Sequence, residues 1–506
     1  MSELTWEAPG PGTWEWDAAH APRPSSAALQ ELFPEAMAAG FQVFTSAYGL
    51  PISHIDIRYV NGYQYGAAQM GDLAARAVRP PEAAERAMAE RRWREELRWW
   101  TEEARPALVE ARRSLQAVDL ATLDDEHLAL HVEAAAAEFS SGLTIHFSLI
   151  GASAIPVGDF LVHCGGWGLP LEECLALLVG EHPLTVACRP VRDALGGARP
   201  RTADELRALS PAAADAFDVL LEDVGYWGIG RYDFSGRTLR EEPTALIASI
   251  LADPPRRPSG EPLREKVPAE ERELFDDLLA EARFAFSARD DHAIVGSLWV
   301  LGLVRRAFFE ASTRLALEPQ DLVFELSTTE VARGLREGAG ELEGVARQRA
   351  AASEVAAAAT PPPVLGEGGF GAGPPPGFEL PGALGRVLAA MGAYMGAMNG
   401  TATPLGIGAG VARGRALVAF DPEDAIDRIE PGDILVTTTT TPAFGAVLPL
   451  LGGLVATTGG ALSHTAIVAR ELGIPAVVGV ADALARIADG VMIEIDAAAG
   501  EVRVIS

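Results

Sequence analysis

The chain has 506 residues, enough for several folding units at roughly 100–200 residues per domain. With 48% hydrophobic and 22% charged residues it has a globular make-up, which excludes a disordered or collagen-like chain. Its 70 acidic against 41 basic side chains give a formal net charge of −29, a field that repels polyanions and excludes nucleic acid as the expected partner.

Residues 1–80 are mixed and open on Pro9-Gly10-Pro11-Gly12-Thr13-Trp14, too rich in breakers for a helix and aromatic enough for a strap packed on something larger. No basic and apolar leader stands at the start and no uninterrupted apolar run reaches about 18 residues, so a cytoplasmic chain without a membrane partner is expected. Residues 81–358 read as mainly helical. Trp93, Leu97, Trp100, Ala104, Leu108 and Ala111 recur three or four apart and predict one long amphipathic helix. A second is expected from about 124, with Thr122 as N-cap, through His127, His131, Phe139 and Leu143. Others fall at about 171–180, 203–225, 268–287 and 291–317. Residues 359–400, with Pro361-Pro362-Pro363, Gly368-Gly369 and Pro374-Pro375-Pro376, predict a semi-rigid linker or surface strap and then a short helix at about 383–398. In 401–506 the period changes to short β-branched or aliphatic runs: Ala416 to Phe420, Asp433 to Thr438, Gly453 to Thr457, Ala476 to Val480, Val491 to Asp496 and Val502 to Ile505. The fold class expected is therefore multidomain, a mainly α-helical substrate-binding domain followed by a compact α/β domain.

Lys266 is the single lysine, so a G-x-x-x-x-G-K-[ST] phosphate loop is absent. Cys164, Cys174 and Cys188 form no C-x-x-C pair and read as small buried residues in a reducing compartment. The densest chemical signal runs from Gly459-Gly460-Ala461-Leu462-Ser463-His464-Thr465-Ala466 through Ala469-Arg470-Glu471-Leu472-Gly473-Ile474-Pro475, which reads as glycine turn, helix, glycine stop and strand. Ser463 is a good N-cap and His464 stands in the first helical turn. A phosphoryl group on that imidazole would face free backbone N–H groups and the positive end of the helix dipole. Neutral imidazole is nucleophilic near neutral pH and its N–P bond is readily broken again. From spacing alone, a capped surface histidine is the plainer reading.

The segment resembles the phosphohistidine signature of the swivelling domain in PEP-utilising enzymes, and Gly406 to Gly410, Pro431 to Val436, Asp489-Gly490 and Asp496 resemble the same domain over about 401–506. The resemblance implies His464 as phosphohistidine, with Gly459, Gly460, Ser463, Thr465 and Arg470 around its phosphate. Nothing before Gly400 resembles the ATP-grasp domain that charges such a histidine, so ATP and Mg2+ are expected on a separate ATP-grasp subunit. The helical part loosely resembles the substrate domain of rifampicin phosphotransferases and the subunit of phenylphosphate and 4-methylphenyl phosphate (p-cresol) synthases. The stretches concerned are Gly225 to Phe234, Arg289-Asp290-Asp291-His292 and Asp321 to Leu326.

Transfer from His464 to a hydroxyl requires an acceptor pocket, a base and positive charge. Arg289, Asp291 and His292 supply a guanidinium, a carboxylate and an imidazole near an expected helix start, and equally suit a solvated capping cluster. His146, at the apolar end of its helix, is a core histidine or a pocket base beside Phe147. His163, Trp167 and Trp227 suit stacking of an aromatic acceptor, or packing at helix corners. Arg231 is a phosphate contact or a surface ion pair. His127 and His131 stand one helical turn apart without a third ligand in view, and no metal site is expected. The favoured expectation is a subunit that makes aryl phosphates from a small phenolic substrate. The alternatives are an antibiotic or other alcohol phosphotransferase, and a phosphocarrier scaffold that binds a protein.

Overall fold

The computed structural model describes residues 4–70, 80–178, 182–229, 231–252, 258–367, 382–400, 403–408, 410–420, 422–438, 447–463, 466–467, 469–470 and 473–505. The chain forms two compact units, each assembled from three pieces. One takes residues 1–151, 231–236 and 292–386; the other takes 152–230, 237–291 and 387–506.

The first unit combines helices with an antiparallel sheet of four strands in the order β2-β3-β1-β4. β2 (Ile52–Val60) and β3 (Tyr63–Met70) form a hairpin. Asn61 and Gly62 at its turn both have positive φ, 51° and 80°, as the tight Asn-Gly hairpin turn requires. β1 (Trp14–Trp16) pairs with β3 and with β4 (Val364–Leu365), so the chain just after the triple proline supplies an edge strand, the place in a sheet that tolerates proline nearby. The stretch 368–381, read as linker, lies outside the described residues.

The helix Asp125–Ser148 is capped by Asp124, whose carboxylate accepts from His127 N–H at 2.8 Å, whereas the Thr122 hydroxyl donates to Asp119 O. Thr122, expected as the cap, is displaced because Asp124 sits at the residue where the backbone leaves its extended conformation. The expected single helix before Val118 is three segments, Arg92–Trp99, a π-helical turn Trp100–Ala104, and Arg105–Ala117. In the second unit the expected 203–225 helix is split into Ala203–Leu209 and Pro211–Val224, because Pro211 holds Ser210 extended and removes an N–H.

The expected break near residue 290 is absent: Arg272–Ala293 runs through a π-helical turn, Ile294–Leu298, into Trp299–Arg314. Arg289 to His292 therefore lie inside a continuous helical run, just before its π-helical turn, and not at a helix start, since no proline or glycine interrupts the chain between Ala288 and Val295. Two windows, in 125–166 and 269–314, have the length and apolarity of a membrane span, and 67% and 83% of them is buried inside the fold.

Residues 401–506 carry a sheet of seven strands in the order β11-β10-β6-β7-β8-β9-β5. β6 (Val411–Val418), β7 (Ile434–Thr437), β8 (Gly453–Ala456) and β9 (Ala476–Val478) are parallel, with β5 (Leu405–Ile407), β10 (Met492–Asp496) and β11 (Glu501–Val504) antiparallel at the two sides. β7, β8 and β9 are buried at every position, as strands covered on both faces must be. Cys164, Cys174 and Cys188 are buried, and burial pushes the Cys188 thiol up to about 12 against the pull of Arg192.

Candidate active site

β8 feeds the glycine turn. Thr457 and Thr458 donate their hydroxyls to Thr438 O at 3.2 and 2.8 Å, which ties the strand end to its neighbour. Gly459 then turns at φ +111°, a region costly for any residue with a Cβ. The N–H groups of Gly460 and Leu462 donate to Met398 O and Ala397 O, at 2.9 and 2.7 Å, in the last turn of the Gly382–Asn399 helix. Two carbonyls that a helix C-terminus leaves open are thereby satisfied by the turn.

A Cβ on Gly460 would lie 2.5 Å from both Ala397 O and Gly400 N, which are backbone atoms that cannot swing aside. Gly460→Ala is therefore expected to cost about 1–3 kcal/mol, as overpacking does. Thermal unfolding of the full chain checks this, with Gly392→Ala, at a helical glycine with open space around it, as the control.

Ser463 is buried, and its hydroxyl oxygen accepts from Ala466 N at 3.3 Å while its carbonyl accepts from Ile467 N at 3.0 Å. This is N-cap geometry at the helix entrance. Arg470, whose side chain is 10% exposed, donates to Ala461 O and to the Glu172 carboxylate, so it braces the turn. His464 and Thr465 lie outside the described residues.

The first unit holds a second constellation. His146, in the last turn of Asp125–Ser148, and His292, 1% exposed, face each other with Nδ1 to Nδ1 at 2.8 Å and ring centroids 4.8 Å apart. One Nδ1 must carry the hydrogen and the other accept it, so the pair holds complementary tautomers. Two glycines allow the approach. Gly142, one turn before His146, would bring a Cβ to 2.1 Å from Gly296 O, and Gly296 lies one turn after His292.

The edge of the fully buried Trp100 ring meets His292 at 6.0 Å. Both Trp100 and His292 border π-helical turns, where an inserted residue re-aims the side chains around it. Phe147 packs on Phe33 and Phe41 with centroids 5.9 and 5.3 Å apart, an aromatic wall beside His146. A shallow cleft of about 370 Å³ on the same helix is lined by Glu35, Ala36, Ser140, Ser141, Thr144 and Ile145, and by neither histidine.

The other predicted residues are dispersed. Arg289 turns to Asp290, donating at 3.0 and 2.8 Å, and lies over the Phe286 ring. Burial pulls its pKa down, but Asp290 and Tyr394 more than offset this and keep it charged. Asp291 is half-buried. His163 bonds Asp159 O at 2.8 Å, and Trp167 donates to Glu271 and packs on His163 and Phe275, a helix-corner arrangement. Trp227 packs on the core of its unit with its indole nitrogen buried and without a hydrogen-bond partner among the described residues. Arg231 is half-buried in the 231–236 piece of the first unit. His127 bonds Asp124, and burial together with Arg306 lowers the pKa of His131.

A parallel β6–β9 core whose glycine turn leads into a serine-capped helix defines an α/β domain built to present one short segment at a helix entrance. Residues 429–500 match the PEP-utilising enzyme mobile domain. The chain is 45% identical over 93 residues to the phosphoenolpyruvate synthase of Aeropyrum pernix, covering 18% of this chain and 11% of that protein. It is 41% identical over 104 residues to a pyruvate kinase of Lactobacillus delbrueckii subsp. bulgaricus, covering 21% and 18%. With a rifampicin phosphotransferase of a Streptomyces species it shares 30% identity over 322 residues, 58% of this chain and 35% of that protein. This last similarity reaches far beyond residues 429–500. The chain thus spans between about a tenth and a third of the length of these relatives, which are phosphotransferases and kinases of the PEP-utilising type.

Proposed function

We propose that the chain is a phosphotransferase that receives a phosphoryl group on His464 and passes it to an organic hydroxyl, with His146 taking the hydroxyl proton. The observation that carries this reading is the His146–His292 pair in a chain whose 429–500 segment matches a PEP-utilising mobile domain. In the transfer the N–P bond at His464 breaks and a P–O bond forms to the acceptor oxygen. The acceptor proton passes to Nε2 of His146, which is basic when Nδ1–H donates to Nδ1 of His292. Protonated His146 keeps that hydrogen bond, so the pair changes charge without changing geometry. An ATP-grasp partner supplies the phosphoryl group from ATP with its Mg2+, and the reading places both proteins in the cytoplasm.

The aromatic wall of Phe147, Phe33 and Phe41 beside His146 favours a phenolic acceptor and an aryl phosphate product. The match over 58% of the chain to a rifampicin phosphotransferase favours a second reading, in which the acceptor is an antibiotic alcohol. The two are separated by charging the chain chemically with phosphoramidate and offering phenol, p-cresol, rifampicin and a simple aliphatic alcohol. Phosphorus NMR is expected to show an aryl phosphate from the phenols. Transfer to rifampicin alone supports the second reading, and phosphate that stays on the protein with every hydroxyl offered rules out both.

A further inference from the structure

Arg112, in the Arg105–Ala117 helix, has no exposed surface, an unusual place for a guanidinium, which must find a partner for every N–H it buries. Its Nε donates to Val295 O at 3.0 Å and its Nη2 to Gly296 O at 3.4 Å, both carbonyls of the π-helical turn that follows His292. Nη2 also donates to Glu138 O at 3.2 Å, and Nη1 donates to the Glu138 carboxylate at 2.7 Å and to Leu108 O at 3.4 Å. Glu138 lies on the helix that carries His146, two turns earlier. One planar fork therefore bonds both histidine-bearing helices at once, within one turn of His292 and two of His146.

Gly142 is the gap that admits it. A Cβ there would lie 2.3 Å from Arg112 Nη2, besides meeting Gly296 O. The widened π-helical turn offers Val295 and Gly296 carbonyls offset from the regular α-helical ladder, with Trp299 N–H reaching back to Ile294 O. Glu138 balances the buried charge without taking the guanidinium away from those carbonyls.

We propose that Arg112 is a positioning residue for the acceptor site, clamping the two helices in the register that brings Nδ1 of His146 against Nδ1 of His292. This rests on the assignment of His146 as base, but the clamp is measurable without it. Lysine keeps the charge and loses the planar fork, so Arg112→Lys is the informative variant.

In the full wild-type chain, the proton shared between the imidazoles should give a downfield nitrogen-bound proton resonance that is absent in His146→Gln and in His292→Gln. Arg112→Lys is expected to lose that resonance and to slow transfer from charged His464 to the acceptor about 100-fold, the effect of misplacing a catalytic group by about 1 Å. Charging of His464 by phosphoramidate, read by intact mass, should be unchanged. Gly142→Ala, which displaces the guanidinium from the other side, is expected to do the same. A folded Arg112→Lys or Gly142→Ala chain that retains the resonance overturns the proposal. So does its absence from the wild type, or failure of both variants to fold, since Arg112 would then support the whole unit and not the pair. Should the resonance behave as expected while His146→Gln still transfers phosphate, the clamp stands and the base assignment falls.

Discussion

Replacing His464 by alanine is expected to remove phosphoryl acceptance altogether: intact mass should show one added phosphoryl group on the wild-type chain and none on the variant, with product formation down at least about 10⁴-fold. The size of the effect follows from the covalent route. A carrier imidazole splits one transfer into two, and without it no intermediate exists to pass on. The neighbours should behave differently. Ser463→Ala removes the bond from Ala466 N and should cost about 1 kcal/mol of local stability while leaving acceptance in place. Arg470→Ala frees the Ala461 carbonyl and the Glu172 carboxylate, so it should loosen the turn more than it weakens the chemistry. Undiminished product from the His464→Ala chain would move the carrier elsewhere and end the proposed mechanism.

Five of the seven C-terminal strands, β7 to β11, were legible as short β-branched or aliphatic runs, and β7, β8 and β9 are buried on both faces; β5 was not expected, and β6 starts at Val411, before the expected Ala416 to Phe420, because Arg413, Gly414 and Arg415 break its apolar pattern. The helices of 81–358 were legible by their apolar spacing, but not their interruptions, and the Ala27–Ala47 helix inside the stretch read as mixed was missed. A π-helical turn inserts one residue that the apolar period does not show, and its only marks are Pro106 just after Trp100–Ala104 and Gly296 inside Ile294–Leu298, neither of which was read as an interruption. Other signals were present but unused: Asn61-Gly62 marks the β2–β3 hairpin, and Ser210-Pro211 marks the helix break.

The contact between His146 and His292 joins residues far apart in the sequence, His146 at an apolar helix end where a core histidine is the ordinary reading and His292 in a charged stretch that equally suits a solvated capping cluster. Its one trace is the pair of glycines, Gly142 and Gly296, each a single turn from a histidine and each marking where two helices come unusually close. Arg112 is fainter still. It follows Leu108 at helical spacing on a buried face, so an arginine stands where the pattern asks for an apolar residue.

His146→Gln and His292→Asn should separate the two roles within the pair. His146 is half-buried and His292 is 1% exposed, so His146 is the ring that meets the acceptor and His292 the ring that fixes its tautomer. His146→Gln removes the base and is expected to slow transfer to the acceptor about 10²–10⁴-fold, the usual worth of a positioned general base. Asparagine places an amide atom close to where Nδ1 stood, so His292→Asn can still accept from His146 and should lose only about tenfold, whereas His292→Gln, reaching past that point, should lose more. The double variant His146→Gln with His292→Asn should be no slower than His146→Gln alone, because a positioning partner has nothing to position once the base is gone. Single-turnover transfer from chemically charged protein provides the measurement, with the level of charged His464 as the internal control. Additive losses in the double variant would mean that the two imidazoles act separately, and equal losses from His292→Asn and His146→Gln would put the buried ring in the chemistry itself.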